Sequence, residues 1–147
     1  MAAEVQIDIA SDEDLVAVRA QARALADELG FRRIDATEIA TAISEVTRNI
    51  IVHVGNGEVV LKSAEDDHRR GMVVIARDCG GGIGDVEAAM REGYGTGPGL
   101  GLGLPGARRL MDEFDIESAP GEGTTVTMKK WRNRDELERL GSANGRR

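Results

Sequence analysis

A chain of 147 residues, 41% hydrophobic and 31% charged, has the composition of one soluble globular domain with a single core. Its net charge of −7 and pI near 4.9 exclude a nucleic-acid surface, which needs clustered Lys and Arg. Any phosphate site must therefore use backbone N–H groups, helix ends and a metal. The single cysteine, Cys79, excludes an internal disulfide. No apolar run approaches the roughly 20 residues of a membrane span, and the N-terminus carries no signal-peptide pattern, so a cytoplasmic setting is expected. Only 3% of residues are aromatic, so the core must be built from Val, Ile, Leu, Ala and Met. Most of the 19 glycines fall between 80 and 123, where backbone takes over work that side chains would obstruct.

Residues 4–10 alternate, with Val5, Ile7 and Ile9 on one face, and predict a half-buried strand. Ser11 then caps a helix with acids at 12–14 on its positive end, closed by Gly30. Leu15, Val18, Ala22, Leu25 and Leu29 form its apolar stripe. A second helix is expected from Asp35 or Thr37 to about Val54, with Ile39, Ile43, Val46 and Ile50 facing the core. The turn Gly55-Asn56-Gly57 leads into strands at 58–63 and 72–77, joined by the long polar loop AEDDHRRG. A short helix at 85–91 and a flexible stretch from Gly93 to Gly99 follow. A third clear helix is expected from Leu102 to Glu113, with Pro105 in its first turn. Strands near 114–118 and 124–131 flank the turn APGEG, and 132–147 reads as a charged, partly disordered tail. The order lacks strict βαβ alternation. It predicts an α/β (α+β) domain over 1–131: a two-layer sandwich with helices on one face of a mixed, mainly antiparallel sheet.

Three fragments carry chemistry. Glu45 and Asn49 stand four apart on the second helix and share one of its faces beside the apolar stripe. A carboxylate and an amide so placed can hold Mg²⁺, which prefers hard oxygen ligands and keeps several waters. The same spacing also fits an ordinary surface pair. Asp78 closes the apolar run MVVIA and precedes CGGG, so its carboxylate can accept from a flat amine such as adenine N6. A turn aspartate is the other reading. Gly99, Gly101 and Gly103 lead into a helix whose free N–H groups suit phosphate, or they form a mobile loop with no ligand. Gly101, Gly103 and Gly106 match the dinucleotide spacing GxGxxG, but no strand precedes them. There is no GxxxxGK[ST], which excludes a P-loop. His53 and His68 have no companions at ligand spacing.

In this order, ExxxN, DxGxG and the glycine-rich run resemble the N, G1 and G2 boxes of the GHKL (HATPase) superfamily of gyrase, Hsp90, histidine kinases and MutL. GEGT at 121–124 resembles the element that completes the adenine pocket. SEVTRNI at 44–50 and GLPGARRLMDEF at 103–114 resemble, more closely, the stressosome switch kinases among the anti-sigma regulatory factor kinases. The resemblance covers residues 4–131 and implies a Bergerat ATP-binding fold using ATP and Mg²⁺. It implies a serine/threonine-protein kinase of partner-switching stress signalling that phosphorylates a STAS-domain antagonist and, once freed, activates a PP2C-type phosphatase. By motif, Asn49 would ligate Mg²⁺ and Glu45 would act as catalytic base or water-orienting acid. Asp78 would bind adenine N6 above Gly80 and Gly82. Gly99, Gly101 and Gly103 would cradle the phosphates, and Thr124 would support the adenine. Alternatives are an anti-sigma factor kinase that holds a sigma factor directly, a detached histidine-kinase catalytic domain, or a nucleotide-dependent binding module without catalysis.

Overall fold

A computed structural model describes residues 4–81 and 103–133. Its elements run β1 (Glu4–Ile9), α1 (Asp12–Leu29), α2 (Arg33–His53), β2 (Gly57–Glu65), β3 (Arg69–Asp78), α3 (Gly103–Leu110), β4 (Glu113–Ser118) and β5 (Thr124–Asn133). The strands form one sheet in the order β1-β2-β3-β5-β4. Each described pairing is antiparallel, in keeping with the mainly antiparallel sheet expected from the sequence.

Helix boundaries follow local chemistry. At the start of α1 the Asp14 carboxylate accepts from the backbone N–H groups of Ala10 and Ser11, at 2.8 and 3.0 Å. Gly30 ends that helix in the left-handed region, φ 84°, and donates to the Ala26 and Asp27 carbonyls. The second helix begins two residues before the earliest predicted start, at Arg33, where Arg32 pairs with Asp35 in the first turn at 3.1 Å. The third helix stops at Leu110, three residues short of expectation, because the chain turns at once into β4.

The long loop expected between β2 and β3 is also shorter. Both strands extend into it, leaving a turn at 66–68. There the Asp66 carboxylate accepts from the His68 and Arg69 backbone N–H groups, at 2.9 and 2.7 Å. Those bonds, with Arg69's side chain, hold its carboxyl below the ordinary range for aspartate. β5 likewise runs two residues past its predicted end and takes up the start of the expected tail.

The apolar stripes read from the sequence are the core. Val18, Ile39, Ile43 and Val46 are buried against Val59, Leu61, Met72, Val74 and Met128 from the sheet. The register fixes which strand residues face the helices: Leu61, Val74 and Met128 share one row, and Val59, Ala76 and Val126 the next. On the opposite face Val60 and Val73 are also buried, flanked by the pairs Glu58–Arg77 and Glu113–Lys129. Trp131 belongs to that face, where its indole N–H donates to Glu113 and the Arg69 guanidinium lies 4.0 Å over its ring. No helix among the described residues is long and apolar enough to cross a membrane.

Candidate nucleotide site

Three strand ends meet at one end of the sheet. Asp78, the last residue of β3, lies opposite Thr124, the first of β5, and Thr124 lies opposite Ser118, the last of β4. Asp78 Oδ1 accepts from the Gly80 N–H at 2.9 Å, which folds the chain back over the strand end. Gly80 sits against the end of α2, since a Cβ there would lie 2.7 Å from Val54 Cγ2. From the other side, the Gly121 N–H donates to the Gly81 carbonyl at 2.7 Å. The turn before β5 therefore packs directly on the Asp78–Gly81 loop. Thr124 is buried, and its hydroxyl lies 2.7 Å from Ser118 Oγ, which also donates to the Gly123 carbonyl at 3.0 Å.

Gly123 is the tightest point of this arrangement. Its φ is +76°, and a Cβ would fall 2.2 Å from the Asp78 carbonyl oxygen. Gly123→Ala is expected to cost about 1–3 kcal/mol from the backbone conformation alone, and to push Asp78 out of place. Chemical denaturation should show the lower stability. A Gly123→Ala protein as stable as the parent would mean that the two loops are not held together here.

The second part of the site lies on α2. Glu45 is 7% exposed although it carries a carboxylate. Its one ion-pair partner among the described residues is Arg48 Nη1 at 3.8 Å, a long pair with the arginine side chain 41% exposed. Asn49, one turn on, is half-buried, and its carboxamide makes no hydrogen bond among the described residues. Val54, which touches Gly80, follows on the same helix. One helix thus carries the acid–amide pair along its length and meets the Asp78 loop at its end. The third helix packs against α2 and begins at Gly103, φ 51°.

Residues 9–130 match the histidine kinase-like ATPase domain family. The chain belongs to the histidine kinase-like ATPase family. Within it, the chain is 44% identical over 125 residues to the serine/threonine-protein kinase RsbT of Bacillus subtilis, covering 85% of this chain and 94% of that one. It is also 36% identical over 101 residues to an anti-sigma F factor of Bacillus licheniformis, covering 64% and 68% of the two chains. A solved Mycobacterium tuberculosis structure of RsbU and RsbW domains superposes with a TM-score of 0.58 at 26% identity, covering 90% of this chain. The chain spans 33% of that larger one. The expectations of a GHKL-type fold and of an ATP-dependent serine/threonine-protein kinase are borne out by these relationships.

Among the residues singled out from this histidine kinase-like ATPase sequence, Asp78, Gly80 and Thr124 are brought together, and Glu45 and Asn49 share the helix that abuts them. Gly82, Gly99 and Gly101, with the expected 85–91 helix and 93–99 stretch, lie outside the described residues. His53 is exposed at the end of α2. Sequence reasoning missed Ser118, Val54 and the Arg48–Glu45 contact. A hairpin register across APGEG would have found Ser118, because it places that residue opposite Thr124. Counting three residues on from Glu45 would have found Arg48.

The donor set suits magnesium. Asn49 offers a carboxamide oxygen with no competing partner among the described residues, and Glu45 a carboxylate held by one long contact. No three His, Cys, Asp or Glu side chains cluster among the described residues as a transition-metal site would have them. A Mg²⁺ held mainly by phosphates and water needs only one or two protein oxygens.

Proposed function

We propose that this kinase transfers the γ-phosphoryl group of ATP to a serine or threonine of a small STAS-domain antagonist protein. On phosphorylation the antagonist would leave, and the freed kinase would bind and activate a PP2C-type phosphatase in the cytoplasm. The reading is carried by one observation: the helix with Glu45 and Asn49 ends on the loop that Asp78 and Thr124 close. A nucleotide with its base at Asp78 would have the Glu45–Asn49 helix beside it.

In this arrangement each residue has a distinct task. Asp78 Oδ1 is engaged by the Gly80 N–H, which leaves Oδ2 to accept from the exocyclic amine of adenine. Thr124, held by Ser118, closes the other side of the base. Gly103 begins α3, whose first N–H groups have no intrahelical partners and suit phosphate oxygens. Asn49 would hold Mg²⁺, which when bound neutralises charge on the phosphate oxygens. Glu45 accepts the proton of the acceptor hydroxyl as its oxygen bonds to phosphorus and ADP departs. Such catalysis is mostly positioning and charge stabilisation, so few residues suffice.

The test is single-turnover transfer of labelled γ-phosphate to candidate partners, with capture of what the kinase holds before and after. Transfer to a STAS protein and capture of a PP2C phosphatase afterwards are the expected results. The likeness to anti-sigma F factors supports a second reading, in which the kinase holds a sigma factor directly. Capture of a sigma factor with no phosphatase would favour that reading. Binding of ATP with transfer to no partner would contradict both.

A further inference from the structure

Lys130 occupies a core-facing position of β5, in register with Met72 and two residues beyond Met128, both fully buried. Its side chain is 12% exposed. Burying an ammonium there is unfavourable unless it is well paired. The partners are specific. Nζ donates at 2.7 Å to the carbonyl of Leu110, the last residue of α3, and at 3.0 Å to Glu38 Oε1 on α2. A helix-end carbonyl lacks an intrahelical donor, and a cation beside it also complements the helix dipole.

One side chain thus ties the end of α3 to the body of α2. The two helices carry the two halves of the site. Gly103 lies seven residues before Leu110, about 10 Å along α3, and Glu45 lies seven residues after Glu38, about the same distance along α2. Resting on the reading of the site given above, we propose that Lys130 is a positioning residue for phosphoryl transfer. It sets the spacing between the phosphate-facing start of α3 and the Glu45–Asn49 face of α2. Packing alone would be served by a methionine, as at the neighbouring positions 72 and 128. A lysine supplies what methionine lacks, a directional link to two helices.

The experiment compares calorimetric affinities for ATP·Mg²⁺ and ADP·Mg²⁺, with thermal unfolding, in the full chain and in Lys130→Met, Lys130→Arg and Glu38→Gln. Lys130→Met is expected to lower the melting temperature only modestly, since the Glu38 side chain, 36% exposed, is rehydrated when the ammonium is removed, and the loss falls mainly on the Leu110 carbonyl. It should hold ADP within about twofold of the parent but ATP about tenfold more weakly, because the γ-phosphate meets a displaced helix start. Lys130→Arg, which can reach both partners, should recover most of the ATP preference. Glu38→Gln, which keeps an acceptor oxygen, should lose less than Lys130→Met. If Lys130→Met does not fold, Glu38→Gln carries the comparison, with a smaller loss of ATP preference expected, and Lys130→Arg serves as the variant that keeps it. An unchanged ATP-to-ADP preference in Lys130→Met or, should that not fold, in Glu38→Gln, or an equal loss for both nucleotides that follows a lowered melting temperature, would overturn the positioning role alone. A parent protein that binds no ATP would overturn the reading of the site and this role with it.

Discussion

Glu45→Gln is expected to slow transfer of phosphate to the protein acceptor about 10²–10⁴-fold, the usual weight of a positioned general base. ATP affinity should change little. The carboxamide has the carboxylate's shape, so the buried position stays filled. The ion pair that is lost, 3.8 Å long with a 41% exposed arginine, is worth about 1 kcal/mol or less. The variant should therefore fold and bind nucleotide, yet fail at the step in which the acceptor hydroxyl loses its proton. Single-turnover rates at saturating ATP separate these effects from weak binding. A Glu45→Gln protein that transfers phosphate at the parental rate would reduce Glu45 to a buried helix residue.

Asp78→Asn bears on the other end of the nucleotide. Asparagine retains an oxygen that can still accept from the Gly80 N–H, now at 2.9 Å from Oδ1, so the loop should keep its shape. The second oxygen becomes an NH₂ group that faces the adenine amine, donor against donor. Losing a charge-assisted hydrogen bond in a closed pocket costs about 1.5–3 kcal/mol, or roughly ten- to a hundredfold in ATP affinity. Titration calorimetry on a variant with parental unfolding behaviour reads this directly. Unchanged affinity would move the adenine away from β3.

The two apolar helix stripes and the core strands were legible in the sequence because burial imposes a period that composition displays. Leu15, Val18 and Ala22 on α1, and Ile39, Ile43 and Val46 on α2, are buried where the spacing placed them. Element ends were less legible. Hydrogen-bonded turns set them, such as Asp66 closing the β2–β3 hairpin, and periodicity carries no record of such bonds. Strand order was also hidden, because it depends on contacts far apart in sequence: β3 pairs with β5 while β4 takes the edge. In the site, Asp78 could be singled out because an apolar strand ends there in glycine. Val54 and Lys130 could not. Each matters through a partner that only the fold supplies: Gly80 for the first, and the pair of Leu110 and Glu38 for the second.

The most direct measurement is a crystal structure of this chain with a non-hydrolysable ATP analogue and Mg²⁺. The adenine amine is expected within hydrogen-bond distance of the Asp78 carboxylate, the metal on the Asn49 carboxamide oxygen, and the phosphates at the start of α3. An adenine bound elsewhere, or a metal without contact to Asn49, would contradict the proposed site.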